Sequence, residues 1–172
     1  MALDFMILGL PRSGTTWAAN FLTTDHSLCL HDPLFRYSLK QLDELSVPGK
    51  RLGISCTMAW AYTAWVQRST CNKVWLYRPI EDIKASLARF SLPLPIHALR
   101  VSAYHDLGHI LVRPWSDLFR PDTAQEIAEW CGVTFSAERH AELVAMRIGP
   151  RWDSVPMERE AVRRAIRRME AL

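Results

Sequence analysis

The stretch DFMILGLPRSGTTWAANFL, residues 4–22, constrains the possible folds of this chain more than any other. Residues 4–9, DFMILG, are a short apolar run that ends in glycine, the pattern of a buried parallel strand. Residues 15–24 turn helical, with Trp17, Phe21 and Leu22 as the apolar positions. Between the two, Gly9 to Thr16 spell G-x-x-x-x-G-T-T. A loop of this kind turns backbone N–H groups inward and leads into a helix N-terminus, and both features favour a phosphate. Gly14 allows a close backbone approach, and Thr15 and Thr16 add hydroxyl donors.

The rest of the chain continues the alternation. Residues 27–33, SLCLHDP, read as a second strand that ends at His31, Asp32 and a proline, and 34–45 as a helix. The segment 51–58 is a third strand, 59–69 a helix, 73–78 (KVWLYR) a strand and 80–90 a helix. Residues 91–108 begin as a proline-broken loop and end helical, and 109–114 form another strand. In PDTAQEIAEWCG, Asp122 or Thr123 is the expected cap of a helix that stops at Gly132. From about Met157 a last helix carries Val162, Ala165, Ile166, Met169 and Leu172 on one stripe, with arginines opposite. Alternating strands and helices mean a parallel sheet covered on both faces. The expected class is therefore α/β: three layers, a mostly parallel central sheet, helices on both faces. With 172 residues and no dividing linker, a single domain over 1–172 is expected.

The loop departs from the nucleotide-triphosphatase pattern G-x-x-x-x-G-K-[ST]. Thr15 stands at the lysine position, and the basic residue is Arg12. Nor does any apolar strand end in an aspartate suited to magnesium. LGLPRSGTTW instead resembles the phosphosulfate-binding loop of sulfotransferases, roughly P-[KR]-[ST]-G-T-[TS]-[WL]. A second stretch, VWLYRPIEDIKASLARF, is similar to that family's R-x-P-x-D-x-x-x-S. Arg78 is followed eight residues on by Ser86, with Asp82 at the matching place and the proline one position early, at Pro79. Arginine offers a fork of donors to a phosphate dianion. HILVRPWSDLFRPDTAQEIAEWCGVTFSAER looks like the Y-E-D-L strand–helix region of bacterial members, with Trp115, Asp117 and Leu118 in those places, and supports the fold rather than the site. MRIGPRWDS, residues 146–154, is a compressed version of the family's R-K-G-x-x-G-x-W loop, through Arg147, Gly149 and Trp152, and there Arg147 or Arg151 would reach the nucleotide.

The resemblance implies a P-loop NTPase-like sulfotransferase fold, in a short bacterial or phage-type member. It implies transfer of a sulfuryl group from 3′-phosphoadenosine 5′-phosphosulfate (PAPS) to a hydroxyl or amine, with 3′,5′-bisphosphoadenosine (PAP) as product and no metal. The nucleotide would lie on Pro11, Arg12, Ser13, Gly14, Thr15, Thr16 and Trp17, with Arg78, Ser86, Arg147 and Gly149 at the 3′ side. Arg12 would stabilise the transferring group and the leaving phosphate. In many members with arginine in the loop, a glutamate about twenty residues on, after the second strand, is the general base. Asp32, twenty residues after Arg12, stands there, beside His31, and either is a candidate. His97, His105 and His109 are less well placed. The chain is shorter than typical members, so the acceptor-binding segments are trimmed. A non-catalytic nucleotide-binding protein with the same fold and a P-loop nucleotide kinase are the competing readings.

Composition narrows the classes further. The hydrophobic share is 49% and the charged share 23%, which excludes disordered and collagen-like chains. A net charge of +3 suits an anionic small ligand as well as it suits a nucleic acid. The arginine-rich REAVRRAIRR reads as a solvated helix face, so a nucleic-acid partner is not expected. Cys29, Cys56, Cys71 and Cys131 have no metal-ligand spacing and read as reduced thiols. No apolar run approaches the ~20 residues of a membrane span. The N-terminus has no basic n-region or cleavage site, and a cytoplasmic location is the expectation. The acceptor and the oligomeric state are not encoded in any motif.

Overall fold

A computed structural model describes residues 3–88 and 107–146 of the chain. Five strands, β1 (Phe5–Gly9), β2 (Ser27–His31), β3 (Arg51–Cys56), β4 (Asn72–Tyr77) and β5 (Leu111–Pro114), form one sheet in the order β2-β3-β1-β4-β5. Every pairing is parallel. The helices are α1 (Thr15–Phe21), α2 (Leu39–Glu44), α3 (Thr63–Arg68), α4 (Ile80–Leu87), α5 (Pro121–Trp130) and α6 (Ala137–Ala145). This is the expected α/β architecture.

β1 shows why the sheet needs cover on both sides. All five of its residues are buried. Side chains alternate across a strand, so Phe5 and Ile7 enter one core and Met6 and Leu8 the other. The first core holds Trp17, Phe21, Leu22, Ile127 and Leu143 from α1, α5 and α6. The second holds Leu42, Trp65, Val66, Ile83 and Leu87 from α2, α3 and α4. Crossover handedness accounts for the division. From β1 the chain moves outward to β2, which puts α1 on one face. It then moves back the other way through β3, β4 and β5, and right-handed crossovers put α2, α3 and α4 on the opposite face.

β3 passes close to β1. Gly53 is the register partner of Phe5, and a Cβ on Gly53 would lie 2.1 Å from the Phe5 ring. The glycine is what lets that ring lie flat on the neighbouring strand.

Several boundaries differ from expectation. The stretch 34–45 is a 3-10 turn over Pro33–Phe35 and then α2, because Ser38 and Gln41 form a capping box that restarts the helix. Residues 59–69 likewise divide into a 3-10 turn, Ala59–Tyr62, and α3. α5 begins at Pro121, with Arg120 rather than Asp122 or Thr123 at the cap position. Proline fits the first helical position because its missing N–H would be unpaired there anyway, and Asp122 instead pairs with Arg120 at 2.9 Å. α6, capped by the Ser136 side chain, was not anticipated as a helix. Of the segment 91–108, expected to begin as a loop and end helical, only Leu107 and Gly108 are described, and they are not helical; the rest of it, with His97 and His105, and the helix expected from Met157 lie outside the described residues.

No helix among the described residues is long and apolar enough to cross a membrane. Cys29, Cys56 and Cys131 are buried and unpaired. Burial pushes all three thiols up, with the neighbouring Cys131 adding to the effect at Cys29 and Asp32 adding to it at Cys56.

Candidate functional site

The order of strands about β1 reverses at β1 itself, and in open α/β sheets ligands lie at the carboxyl ends of the strands beside such a reversal. The loop Leu10–Gly14 leaves β1 there. It is tightened by Ser13 N–H donating to the Leu10 carbonyl at 3.1 Å. Two of its residues are left-handed, Arg12 at φ 70° and Gly14 at φ 80°. For arginine that conformation is uncommon and strained, a feature that concentrates at functional sites. Gly14 is required twice over. Besides its φ, a Cβ would meet Leu118 Cδ1 at 2.7 Å. The Ser13 side chain is fully buried, and its hydroxyl has no hydrogen-bond partner among the described residues.

Residues far apart in sequence converge on this loop. Arg12 Nε donates to Ser86 Oγ in α4 at 3.1 Å. Arg78, at the end of β4, donates from Nη1 to the Arg12 carbonyl. Its guanidinium carbon lies 4.0 Å from the centroid of the Trp115 ring, an attraction between cation and ring face. β4 pairs directly with β1, so its end arrives beside the loop, and α4 then carries Ser86 back toward it. Arg12, Arg78 and Ser86 are thus brought together. Asp82, by contrast, is exposed on α4.

On the other side of the loop stand His31 and Asp32, at the end of β2. His31 Nε2 is 3.1 Å from Thr16 Oγ1 and 3.5 Å from Thr15 Oγ1. It is 3.4 Å from Asp32 Oδ2. Asp32 is the second left-handed non-glycine residue, at φ 44°. β3 lies between β1 and β2, and its end ties the two together. Ser55 Oγ donates to the Thr15 carbonyl at 2.8 Å. The Thr57 N–H and hydroxyl both donate to Asp32 Oδ1, at 2.6 and 2.9 Å.

The remaining expected site residues are placed as follows. Trp17 is buried in the core, stacked on Phe21 at 5.1 Å, and its indole N–H donates to the Leu143 carbonyl at 3.2 Å. Pro11 is half-buried in the loop. His109 is exposed and packs by Trp130 at 4.8 Å, away from the loop. Arg147, Gly149, Arg151 and Trp152 lie outside the described residues.

Sequence reasoning assigned Trp115 and Leu118 to architecture alone, yet one touches Arg78 and the other packs on Gly14. They belong to the short turn Trp115–Phe119 that follows β5. Thr57 was missed altogether. Its signal was positional: it is the first residue past the stretch that becomes β3, and hydroxyls at that edge face the loop region.

Among the described residues no cluster of His, Cys, Asp and Glu could hold a metal ion. A cleft of about 450 Å³ opens at the opposite edge of the sheet, by Asp4, His26, Lys50, Arg51 and Gly132. Its cations are already engaged, Arg51 with Asp4 at 3.5 Å and Lys50 with the Thr24 carbonyl at 3.4 Å. The cluster around the loop, at the carboxyl edge, is the better candidate.

No protein-family model and no curated protein sequence matches the chain. Solved structures do. Mouse sulfotransferase SULT7A1 complexed with PAP superposes with a TM-score of 0.61 at 15% identity, covering 84% of this chain and 64% of the mouse protein. A sulfotransferase from Alicyclobacillus acidocaldarius gives a TM-score of 0.54 at 13% identity, covering 83% of this chain and 90% of the bacterial protein. The chain therefore spans less than two thirds of the mouse protein's length. At these identities the likeness is one of fold, and the fold is that of the sulfotransferases.

Proposed function

We propose that the chain transfers a sulfuryl group from PAPS to a hydroxyl or amine of an acceptor. The observation that carries this is the meeting of Arg12, Arg78 and Ser86 at the loop mouth, from positions 66 and 74 residues apart in sequence. A loop lined with backbone N–H groups takes the 5′-phosphosulfate. The pair Arg78 and Ser86 takes the 3′-phosphate, since a guanidinium gives forked, charge-assisted donors and the serine adds a neutral one. The left-handed turns at Arg12 and Gly14 suit a backbone that curls its N–H groups around an anion. The fold likeness to a protein complexed with PAP supports the same nucleotide here.

In this reading the residues act mainly by fixed charge. Arg12 faces the sulfuryl group and the bridging oxygen, and a donor already aimed at developing charge is usually the largest catalytic contribution. Thr15 and Thr16 hold the 5′ side. The His31–Asp32 pair at the end of β2 supplies the base. The carboxyl edge of the sheet holds the donor, and the acceptor approaches over β2.

Calorimetric titration with PAP, set against ATP-Mg, tests the proposal. PAP is expected to bind and ATP-Mg to bind far more weakly. Arg78→Ala should weaken PAP by about 10- to 100-fold, the loss of a charge-assisted hydrogen bond of about 1.5–3 kcal/mol. Preference for ATP-Mg, or indifference to Arg78→Ala, would return the loop to the kinase reading.

A further inference from the structure

We infer that His140, buried in α6, is a positioning residue for the loop after β1, an inference that rests on the sulfuryl-transfer reading. His140 is 3% exposed. It stands edge-on to Trp17 and Phe21, with ring centroids 5.5 and 5.9 Å away. Its Nε2 lies 3.1 Å from the Leu118 carbonyl. A carbonyl only accepts, so Nε2 carries a hydrogen there. An apolar side chain would fill the same aromatic box. What the imidazole adds is one directed hydrogen bond, and that bond ends on the turn Trp115–Phe119.

That turn meets the proposed nucleotide site at two points. Leu118 Cδ1 lies 2.7 Å from where a Gly14 Cβ would stand. The Trp115 ring centroid lies 4.0 Å from the Arg78 guanidinium carbon. α6 also holds the helix that leaves the loop. Trp17 in α1 donates its indole N–H to the Leu143 carbonyl at 3.2 Å, and Arg139 Nη2 donates to the Asn20 carbonyl at 2.7 Å. α6 therefore grips α1 on one side and the turn on the other, and Gly14 stands at the N-terminal end of α1 where the two meet. Of these three bonds, only the one from His140 reaches the turn. A buried carbonyl deprived of its donor is costly, so without His140 the turn shifts. Leu118 then draws back from Gly14, and Trp115 from Arg78, while α1 keeps its own two bonds to α6.

The test measures PAP affinity of the full chain by calorimetry and follows the same protein by ¹⁵N spectra. His140→Leu fills the box and removes the donor. It should weaken PAP by about three- to tenfold, the worth of one neutral hydrogen bond. His140→Gln carries an amide N–H that can donate to the same carbonyl, and should hold PAP within about twofold of wild type. Leu42→Ala, a truncation in the core on the opposite face of the sheet, should lose stability yet bind PAP like wild type. In the free protein His140 should show a protonated Nε2. Saturation with PAP should shift that resonance, although the ring is buried, because coupling between two sites is reciprocal. The Gly14 amide resonance should move in His140→Leu and return in His140→Gln.

Wild-type PAP affinity in His140→Leu would overturn the inference. So would a loss in His140→Gln as deep as in His140→Leu, an equal loss in Leu42→Ala, or an unprotonated Nε2 in the wild type. Should His140→Leu fail to fold, the wild-type ring decides: a His140 resonance indifferent to PAP overturns the inference. A wild type that binds no PAP would sink the sulfuryl-transfer reading itself, and the inference with it.

Discussion

At Gly14 one missing carbon sets both the loop and its support. The residue sits at φ 80° with Leu118 Cδ1 2.7 Å from where a Cβ would be. Gly14→Ala adds a left-handed penalty of about 1–2 kcal/mol and overpacking of about 1–3 kcal/mol. Urea unfolding should register the sum, and calorimetry should show PAP binding lost with it. Leu118 is itself pinned, because its carbonyl lies 3.1 Å from His140 Nε2 in the buried aromatic cluster of α1 and α6. Trp115, four residues past Leu111 at the start of β5, lies against Arg78 and meets the Phe119 ring edge-on at 5.9 Å. Trp115→Ala should weaken PAP binding by about three- to tenfold, the share of an exposed to half-buried cation–π contact, and Trp115→Phe by less. Equal affinity in both variants and wild type would remove Trp115 from the site.

Among the elements, the β1–β3 pair is the most finely fitted. Gly53→Ala would drive a methyl into the Phe5 ring at 2.1 Å. The expected cost is about 1–3 kcal/mol or more, measurable in the same unfolding experiment. The double variant with Phe5→Leu should recover part of it, since the two sites share one space. Ser136→Ala, which removes the hydroxyl that accepts from Arg139 N–H at the start of α6, should cost about 1 kcal/mol. The strands were legible because each is a short apolar run with a turn signal after it. DFMILG and KVWLYR fell within a residue or so of β1 and β4. The strand order was not legible, because register partners such as Phe5 and Gly53 lie 48 residues apart and no local pattern announces them. The same holds for the site. Arg12, Arg78 and Ser86 were readable because each sits in a motif with fixed spacing. Thr57 and Trp115 were not, because a single hydroxyl or ring acquires meaning only when the sheet delivers it beside Asp32 or Arg78. α6 escaped notice because Ala137–Ala145 carries just His140 and Leu143 into the core, too few for a helical period.

At the scale of the whole molecule, the buried thiols couple stability to pH. Cys29, Cys56 and Cys131 have folded pKa values raised by burial. Their contribution is complete below the ordinary thiol value of about 8.5 and is lost as pH rises above it, because only the unfolded chain then ionises them. Melting temperature should fall from about pH 8 upward, and alanine at the three positions should flatten that fall. A thiol reagent should label Cys71, which is half-buried, and spare the other three until the protein is denatured.

The sheet order also dictates a timetable during synthesis. β1 stands at the centre, yet its first partner, β3, is complete only at Cys56 and its second, β4, only at Tyr77. This fully buried strand therefore leaves the ribosome before either partner and waits unpaired for some fifty residues of further translation, since domains made of non-local pairings cannot close early. The loop after β1 inherits that delay: Arg12 emerges long before Arg78 and Ser86, so the proposed nucleotide site cannot assemble until α4 has been made.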